Sequence, residues 1–218
     1  MKSRRSLLPL VLAGSVALVT GAIACSEAVP TNAGLEEHES HGTTLEALYQ
    51  NETRKEVREQ IKELARMTAR YHNVTHAIED GYDASLGCID ETIAGVDPAV
   101  ARGMGYHVTK SSGIIQDDVV NFLEPELLVY APHPRDAELP PEQRVRKAKL
   151  IAVEYFVAGS PDDANPPELF GETFDYSATF GAWVRHIYLW GDNPEGIYEN
   201  YNGAVPLCTQ LLGGEPIG

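Results

Sequence analysis

Two runs of apolar and β-branched residues, 150–158 and 182–190, carry the strongest strand pattern in the chain. Both are rich in residues that favour sheets, and clusters of turn residues follow them. Successive side chains of a strand point to opposite faces of its sheet. Both faces of the run 182–190 are mostly apolar, so we expect this strand to be covered on both sides.

Residues 44–80 have the spacing of one long amphipathic helix. Apolar or small side chains recur at intervals of four and three residues, which places them on one face of a helix. Thr43 and Thr44 are candidate caps at its start, and Gly81 follows its last turn. The stripe consists of Val57, Ile61, Leu64, Thr68, Tyr71, Thr75 and Ile78.

Two shorter strand patterns, 103–109 and 126–130, complete the set of regular elements. The predicted fold class is therefore α+β, with a long N-terminal amphipathic helix packed on a curved antiparallel sheet of four or more strands. Residues 132–146 and 159–167 are rich in proline and charge, and we expect long exposed loops there. Gly105 lies within the first short strand, where it lets another backbone or a ligand come close.

The first 24 residues have the features of a secretory signal peptide. Three basic residues precede an apolar run over 7–23 that ends in small residues, and the run is too short and wrongly flanked for a membrane span. Residues 3–8, Ser-Arg-Arg-Ser-Leu-Leu, resemble the bacterial twin-arginine export signal, with Leu7 in place of its usual Phe. The sequence therefore predicts export, with the twin-arginine route as one candidate.

Cys25 follows directly on this signal and has two interpretations. Residues 22–24, Ala-Ile-Ala, fit ordinary signal peptidase, whereas Cys25 also stands where a lipoprotein carries its lipid. The cysteine count favours lipidation, because it leaves Cys88 and Cys208 as an even pair in an oxidising compartment. We expect these two to form a disulfide, and we expect both to lie outside the regular elements.

The domain organisation follows from these signals. Residues 25–43 are polar and contain an acidic, histidine-bearing string, which predicts a disordered tether. Residues 44–218 are expected to form a single α+β domain. The predicted location is the cell envelope, in the periplasm or on the outer surface, with a lipid anchor at Cys25.

The charge of the chain excludes some partners. Residues 1–24 contain three of the 17 basic side chains and no acidic one, so the remainder has 14 basic and 32 acidic side chains, a formal charge of −18. No basic stripe is available to meet phosphates, so we expect no nucleic-acid partner. Binding to anionic lipid is also disfavoured, and membrane contact is expected only through the lipid anchor.

Three ionisable residues in predicted strands, His107, Glu154 and His186, are the candidate functional site. Two imidazoles and one carboxylate are a common ligand set for zinc, or for iron with open positions. The alternative is a buried ion pair between Glu154 and Arg185, with two core histidines satisfied by the backbone. Either way, a carboxylate among apolar residues needs a cation, a proton or a metal. No nucleophile elbow, P-loop or dinucleotide-binding glycine motif is present.

Three motifs resemble an uncharacterised family of exported bacterial proteins and lipoproteins. They are M-G-x-H at residues 104–107, V-E-Y at 153–155, and H-x-W-x-W-x-x-N-P-x-G at 186–196. Tyr188 departs from the last motif, where the family has Trp, and Gly203-Ala204 replaces an expected Pro. The resemblance carries over His107, Glu154, His186, Asn193, Pro194 and Gly196, and it implies no activity.

Three classes of function stay open at this point. The first is a metal-dependent site, catalytic or sensing, supported by the neighbouring Arg185, Asn193 and Tyr106. The second is a metal-free pocket for a small apolar ligand. The third is a non-catalytic envelope lipoprotein that contacts other proteins. Convergence of the three candidate ligands separates the first class from the others.

Overall fold

The computed structural model describes residues 54–110 and 120–210, and their centre is a six-stranded antiparallel sheet. The strand order is β1-β2-β3-β4-β8-β7, and two very short strands, β5 and β6, pair separately. The strands are β1 (Tyr82–Asp90), β2 (Gly103–Lys110), β3 (Leu127–Ala131), β4 (Lys149–Ala158), β5 (Glu168–Leu169), β6 (Glu172–Thr173), β7 (Asp175–Ser177) and β8 (Ala182–Ile187).

The helices among the described residues are short. They are α1 (Lys55–Thr68), α2 (Val74–Glu79) and α3 (Pro141–Lys147), with single 3-10 turns at Ala69–His72, Glu91–Ala94, Pro134–Asp136 and Cys208–Gln210. The class is α+β, as expected. The prediction of a long N-terminal helix is wrong. The insertion at 132–146, expected to be an exposed loop, contains a helix. None of the described helices has the length and apolar character needed to cross a membrane.

The predicted long helix is interrupted at Asn73. This residue is extended, with φ −95° and ψ 105°, and its side-chain oxygen accepts the backbone N–H of Thr75 at 3.0 Å, which starts α2. An extended residue does not rotate the chain by the 100° of a helical residue. The residues after Asn73 that face the core are therefore not those of the predicted stripe. Val74 and Ala77 are buried in α2, whereas Ile78 of the predicted stripe is 46% exposed.

The sheet is covered on both faces, as the apolar pattern predicted. The face that packs against α1 and α2 is called the helix face. Its main core includes Ile61, Leu64, Tyr106, Leu128, Val153, Tyr155 and Ile187. The other is called the opposite face. Its smaller apolar clusters contain Val129, Ala152, Tyr188 and Val205, and Leu127, Phe156, Ala182 and Val184.

A C-terminal segment, residues 197–208, returns to the sheet and contacts both faces, because Ile197, Tyr198 and Cys208 pack against the main core whereas Val205 belongs to the smaller cluster with Tyr188. The backbone N–H of Tyr188 donates to the carbonyl of Ile197 at 2.9 Å, which diverts the chain and ends β8 at Ile187. Asn202 forms a bridge with Gly103 at the start of β2, and Val205 packs on Tyr188. Val205 thus adds an apolar side chain to the opposite face beside Tyr188.

The predicted disulfide between Cys88 and Cys208 is present and joins β1 to the C-terminal segment. The expectation that both cysteines lie outside regular elements is wrong, because Cys88 lies within β1. The Asp90 carboxylate accepts the backbone N–H of Cys208 at 2.7 Å and holds the two ends together. The signal peptide, the tether and Cys25 lie outside the described residues.

Candidate metal centre

Three strands of the sheet bring His107, Glu154 and His186 together on the opposite face. Glu154 of β4 and His186 of β8 are direct partners in the antiparallel register. His107 of β2 is paired with Val129 of β3, so its side chain reaches across one strand toward Glu154. The relative exposures of His107, Glu154 and His186 are 1%, 4% and 0%, so all three are buried.

The three potential ligand atoms form a nearly equilateral triangle. His107 Nε2 lies 3.4 Å from Glu154 Oε2. His186 Nε2 lies 3.5 Å from the same oxygen, and the two Nε2 atoms are 3.5 Å apart. The three candidate side chains, whose meeting the sequence left open, therefore converge, and this group could hold a metal ion.

The second nitrogen of His107 has a backbone partner. Its Nδ1 lies 3.1 Å from the carbonyl oxygen of Gly105, which requires a hydrogen on Nδ1 and leaves the Nε2 lone pair free. Gly105 has φ +117°, and a Cβ there would lie 2.6 Å from the carbonyl oxygen of Tyr130. The expected close approach of another backbone at this glycine is thus confirmed.

The second nitrogen of His186 has a side-chain partner. Its Nδ1 lies 3.2 Å from Asn200 Oδ1, and Asn200 Nδ2 donates to Asp175 Oδ2 at 2.9 Å. The bond to Asp175 fixes the orientation of the amide, since only its NH₂ group can donate. The amide oxygen must then face His186, which places the hydrogen on Nδ1. Hydrogen-bond partners of this kind orient the residues that bind the metal directly in many metal sites.

Arg185 does not pair with Glu154, so the alternative interpretation of the buried carboxylate is wrong. It is paired with Tyr155 in the register, and its guanidinium donates to the carbonyl oxygens of Tyr198 and Thr173. It also lies 3.5 Å from the Asp175 carboxylate, which is itself bonded to Asn200. Arg185 therefore contacts the network behind His186 rather than the site itself.

Burial determines the protonation of the three groups. Burial and the neighbouring His186 together lower the pKa of His107 to about 3, and burial lowers the pKa of His186 to about 4. Burial, together with the Glu126 carboxylate, raises the pKa of Glu154 to about 8. Although the atoms lie at ion-pair distances, neutral imidazoles form no ion pair with Glu154 at pH 7.

Glu154 Oε2 is buried and makes no hydrogen bond. The two imidazole nitrogens beside it also present lone pairs, because their hydrogens are on the Nδ1 atoms. When Glu154 is ionised, three acceptors therefore face one another without a donor. A buried polar atom without a partner costs free energy, and a bound cation or a proton on Glu154 removes that cost.

The distances between the three ligand atoms can be compared with those of two coordination geometries. Ligand atoms bound at about 2.1 Å to a tetrahedral zinc lie about 3.4 Å apart. The face of an octahedron with bonds of the same length has edges of about 3.0 Å. The observed edges of 3.4 to 3.5 Å are close to those of the tetrahedral face.

Two residues expected to support the site lie elsewhere. The amide of Asn193 donates to the carbonyl of Tyr201 at 3.0 Å and accepts the N–H of Glu195 at 3.1 Å, so it shapes the loop after β8. Tyr106 belongs to the core on the helix face, and its hydroxyl is hydrogen-bonded to Arg144. Neither residue is among the three that converge.

Sequence reasoning missed Asn200 and Asp175. Asn200 lies in an irregular loop and Asp175 in a three-residue strand, and neither position has a periodicity that marks it.

Comparison with models of protein families, with curated proteins and with solved structures finds no match to this chain. The family resemblance therefore stays a prediction, and the function must be argued from the site.

Proposed function

We propose that this protein is an exported protein of the cell envelope that binds one zinc ion through His107, Glu154 and His186. The observation that supports this most strongly is the convergence of two imidazole nitrogens and one carboxylate oxygen at the spacing of a tetrahedral face, where the only donor among the three groups is a proton on Glu154. Two histidines with one carboxylate are an established zinc ligand set, and they leave one coordination position open.

Hydrogen-bonded partners behind the ligands support metal binding over a merely packed core. His107 is oriented by Gly105, and His186 by Asn200 and Asp175. A metal site needs such partners because they direct the free lone pair of each imidazole to one point. A water-sized ligand suits the open position, since the three ligands are at most 4% exposed. We therefore infer metal binding rather than catalysis on a bulky substrate.

Metal analysis tests this proposal directly. The purified mature protein should bind one zinc ion per chain, and added zinc should raise its melting temperature. His107→Ala, Glu154→Ala and His186→Ala should each abolish stoichiometric binding. His76→Ala is the matched control, because His76 lies in α2 with its Nδ1 3.1 Å from the Arg70 carbonyl, away from the site. The proposal would be contradicted if the wild-type protein bound no zinc, or if the variants of the three candidate ligands bound zinc as the control does.

The proposed location rests on the signal peptide and Cys25, and the disulfide is consistent with an oxidising, exported environment. Changing Cys25 to Ser should release the mature protein from the membrane fraction as a soluble species. Mass spectrometry of the wild-type N-terminus should find lipid on Cys25. A soluble wild-type protein that begins at an unmodified Cys25 would refute the anchor without affecting the zinc site.

A further inference from the structure

Tyr188 is a buried side chain next to the candidate metal centre whose polar atom has no partner. It is 0% exposed, and its hydroxyl makes no hydrogen bond. Its ring stacks on His186, with the centroids 6.2 Å apart and the planes at 22°. A buried phenol normally finds a hydrogen-bond partner, so an unsatisfied one next to a candidate ligand requires an explanation.

The apolar side chains that pack with Tyr188 are small. It packs with Val129 and Ala152 of the two central strands and with Val205 of the C-terminal segment. Val129 is the residue directly paired with His107, so the tyrosine lies on the part of the sheet that His107 spans. The Glu154 carboxylate is also close enough to add to the effect of burial in raising the pKa of Tyr188.

Two polar atoms without partners thus lie on the opposite face, Glu154 Oε2 and Tyr188 Oη. The first is one of the three candidate ligand atoms. The second belongs to the residue stacked on another ligand, His186. Both atoms would be satisfied at once if a metal bound the carboxylate oxygen and an oxygen ligand of that metal met the phenol.

We propose that a water or hydroxide ligand occupies the fourth coordination position of the metal and is hydrogen-bonded to the hydroxyl of Tyr188. This inference rests on the proposed function. A directly coordinating fourth atom on a tetrahedral zinc would lie about 3.4 Å from each of the other three ligand atoms. No hydrogen bond joins the Tyr188 hydroxyl to any of them, so the proposal places an oxygen ligand between the metal and the phenol. Tyr188 is then a positioning residue for that ligand.

The test compares Tyr188→Phe with Tyr130→Phe in the full mature protein. The Tyr130 hydroxyl is bonded to the carbonyl of Tyr71 at 2.6 Å on the helix face, so its variant controls for the loss of a buried phenol. Tyr188→Phe should weaken zinc affinity by about tenfold, the lower end of the effect of losing a partner behind a metal ligand. It should not lower the metal-free stability, because the hydroxyl makes no hydrogen bond there. Tyr130→Phe should lower the metal-free stability and leave zinc affinity unchanged.

A spectroscopic measurement separates positioning from structure. With cobalt(II) in place of zinc, Tyr188→Phe should shift the visible absorption bands, whereas Tyr130→Phe should not. Unchanged zinc affinity and cobalt bands in Tyr188→Phe would overturn the inference. A tyrosinate charge-transfer band in the copper(II)-loaded protein that vanishes in Tyr188→Phe would overturn it too, because the phenol would be a ligand itself. If the wild type binds no metal, the proposed function fails instead.

Discussion

Glu154→Gln should change how the stability of the metal-free protein depends on pH. The wild-type carboxyl is buried, and its pKa is raised from 4.5 to about 8. Between these values the folded protein keeps a proton that the unfolded chain releases, so the free energy of unfolding falls as pH rises. Glutamine has nearly the same shape and no proton to lose. The variant should therefore gain stability relative to the wild type over this range.

The size of the effect follows from the pKa shift. A shift of about 3.5 units at 1.36 kcal/mol per unit gives a total of about 5 kcal/mol. About 3 to 4 kcal/mol of this should develop between pH 5 and pH 8. Because His107 and His186 also titrate, with lowered pKa values that raise wild-type stability as pH increases, the measured quantity is the difference between variant and wild type. Urea denaturation at several pH values, with a chelator present, measures it.

The same titration with saturating zinc is the control. Zinc displaces the proton from Glu154, so zinc should now stabilise the wild type more strongly as pH rises, and Glu154→Gln should lose most of that gain. A difference between variant and wild type that stays flat from pH 5 to pH 8 without metal would refute the reasoning. It would mean that the carboxyl is already ionised in the folded, metal-free protein.

Three further predictions concern the support of the site and the fold. Replacing Cys88 and Cys208 by Ser should lower the free energy of unfolding by about 5 kcal/mol in denaturation experiments, since the bond closes a loop with a sequence separation of 120; an unchanged midpoint would count against it. Asn200→Ala should weaken zinc affinity about tenfold in a chelator competition, because His186 loses the partner that orients it. Equal zinc affinities of variant and wild type would show that Asn200 does not orient His186 for metal binding. Asn73→Ala should cost about 1 kcal/mol of thermal stability, because it removes the cap of α2, and no loss would show that the cap is dispensable.

The sequence alone predicted that the strand in the run 182–190 is covered on both faces, and it placed three ionisable residues, His107, Glu154 and His186, in strands. The runs 150–158 and 182–190 correspond to β4 and β8, because alternation and apolar composition are local properties of an extended chain. The same local signal placed Glu154 and His186 among apolar neighbours, where a charge cannot remain unpaired. The cysteine count likewise predicted the disulfide, since only two cysteines remain if Cys25 carries a lipid.

Some local predictions failed where a few residues overrode a longer pattern. The helical spacing of 44–80 continues through Asn73, but this residue is extended and its side-chain oxygen accepts the backbone N–H of Thr75, so one helical register ends there and another begins. The strand β1, which carries Cys88, was missed because its apolar residues do not alternate over a sufficient length. Propensity averaged over a window does not detect either feature.

Only the tertiary structure decided that His107, Glu154 and His186 meet. Glu154 and His186 are direct partners because β4 pairs with β8 in one particular register, and a shift by one residue would turn His186 to the helix face. His107 joins them because β2 lies two strands from β4, and Asn200 joins because a loop returns over the sheet. Such pairings depend on long-range packing between segments, and no local pattern in the sequence encodes them.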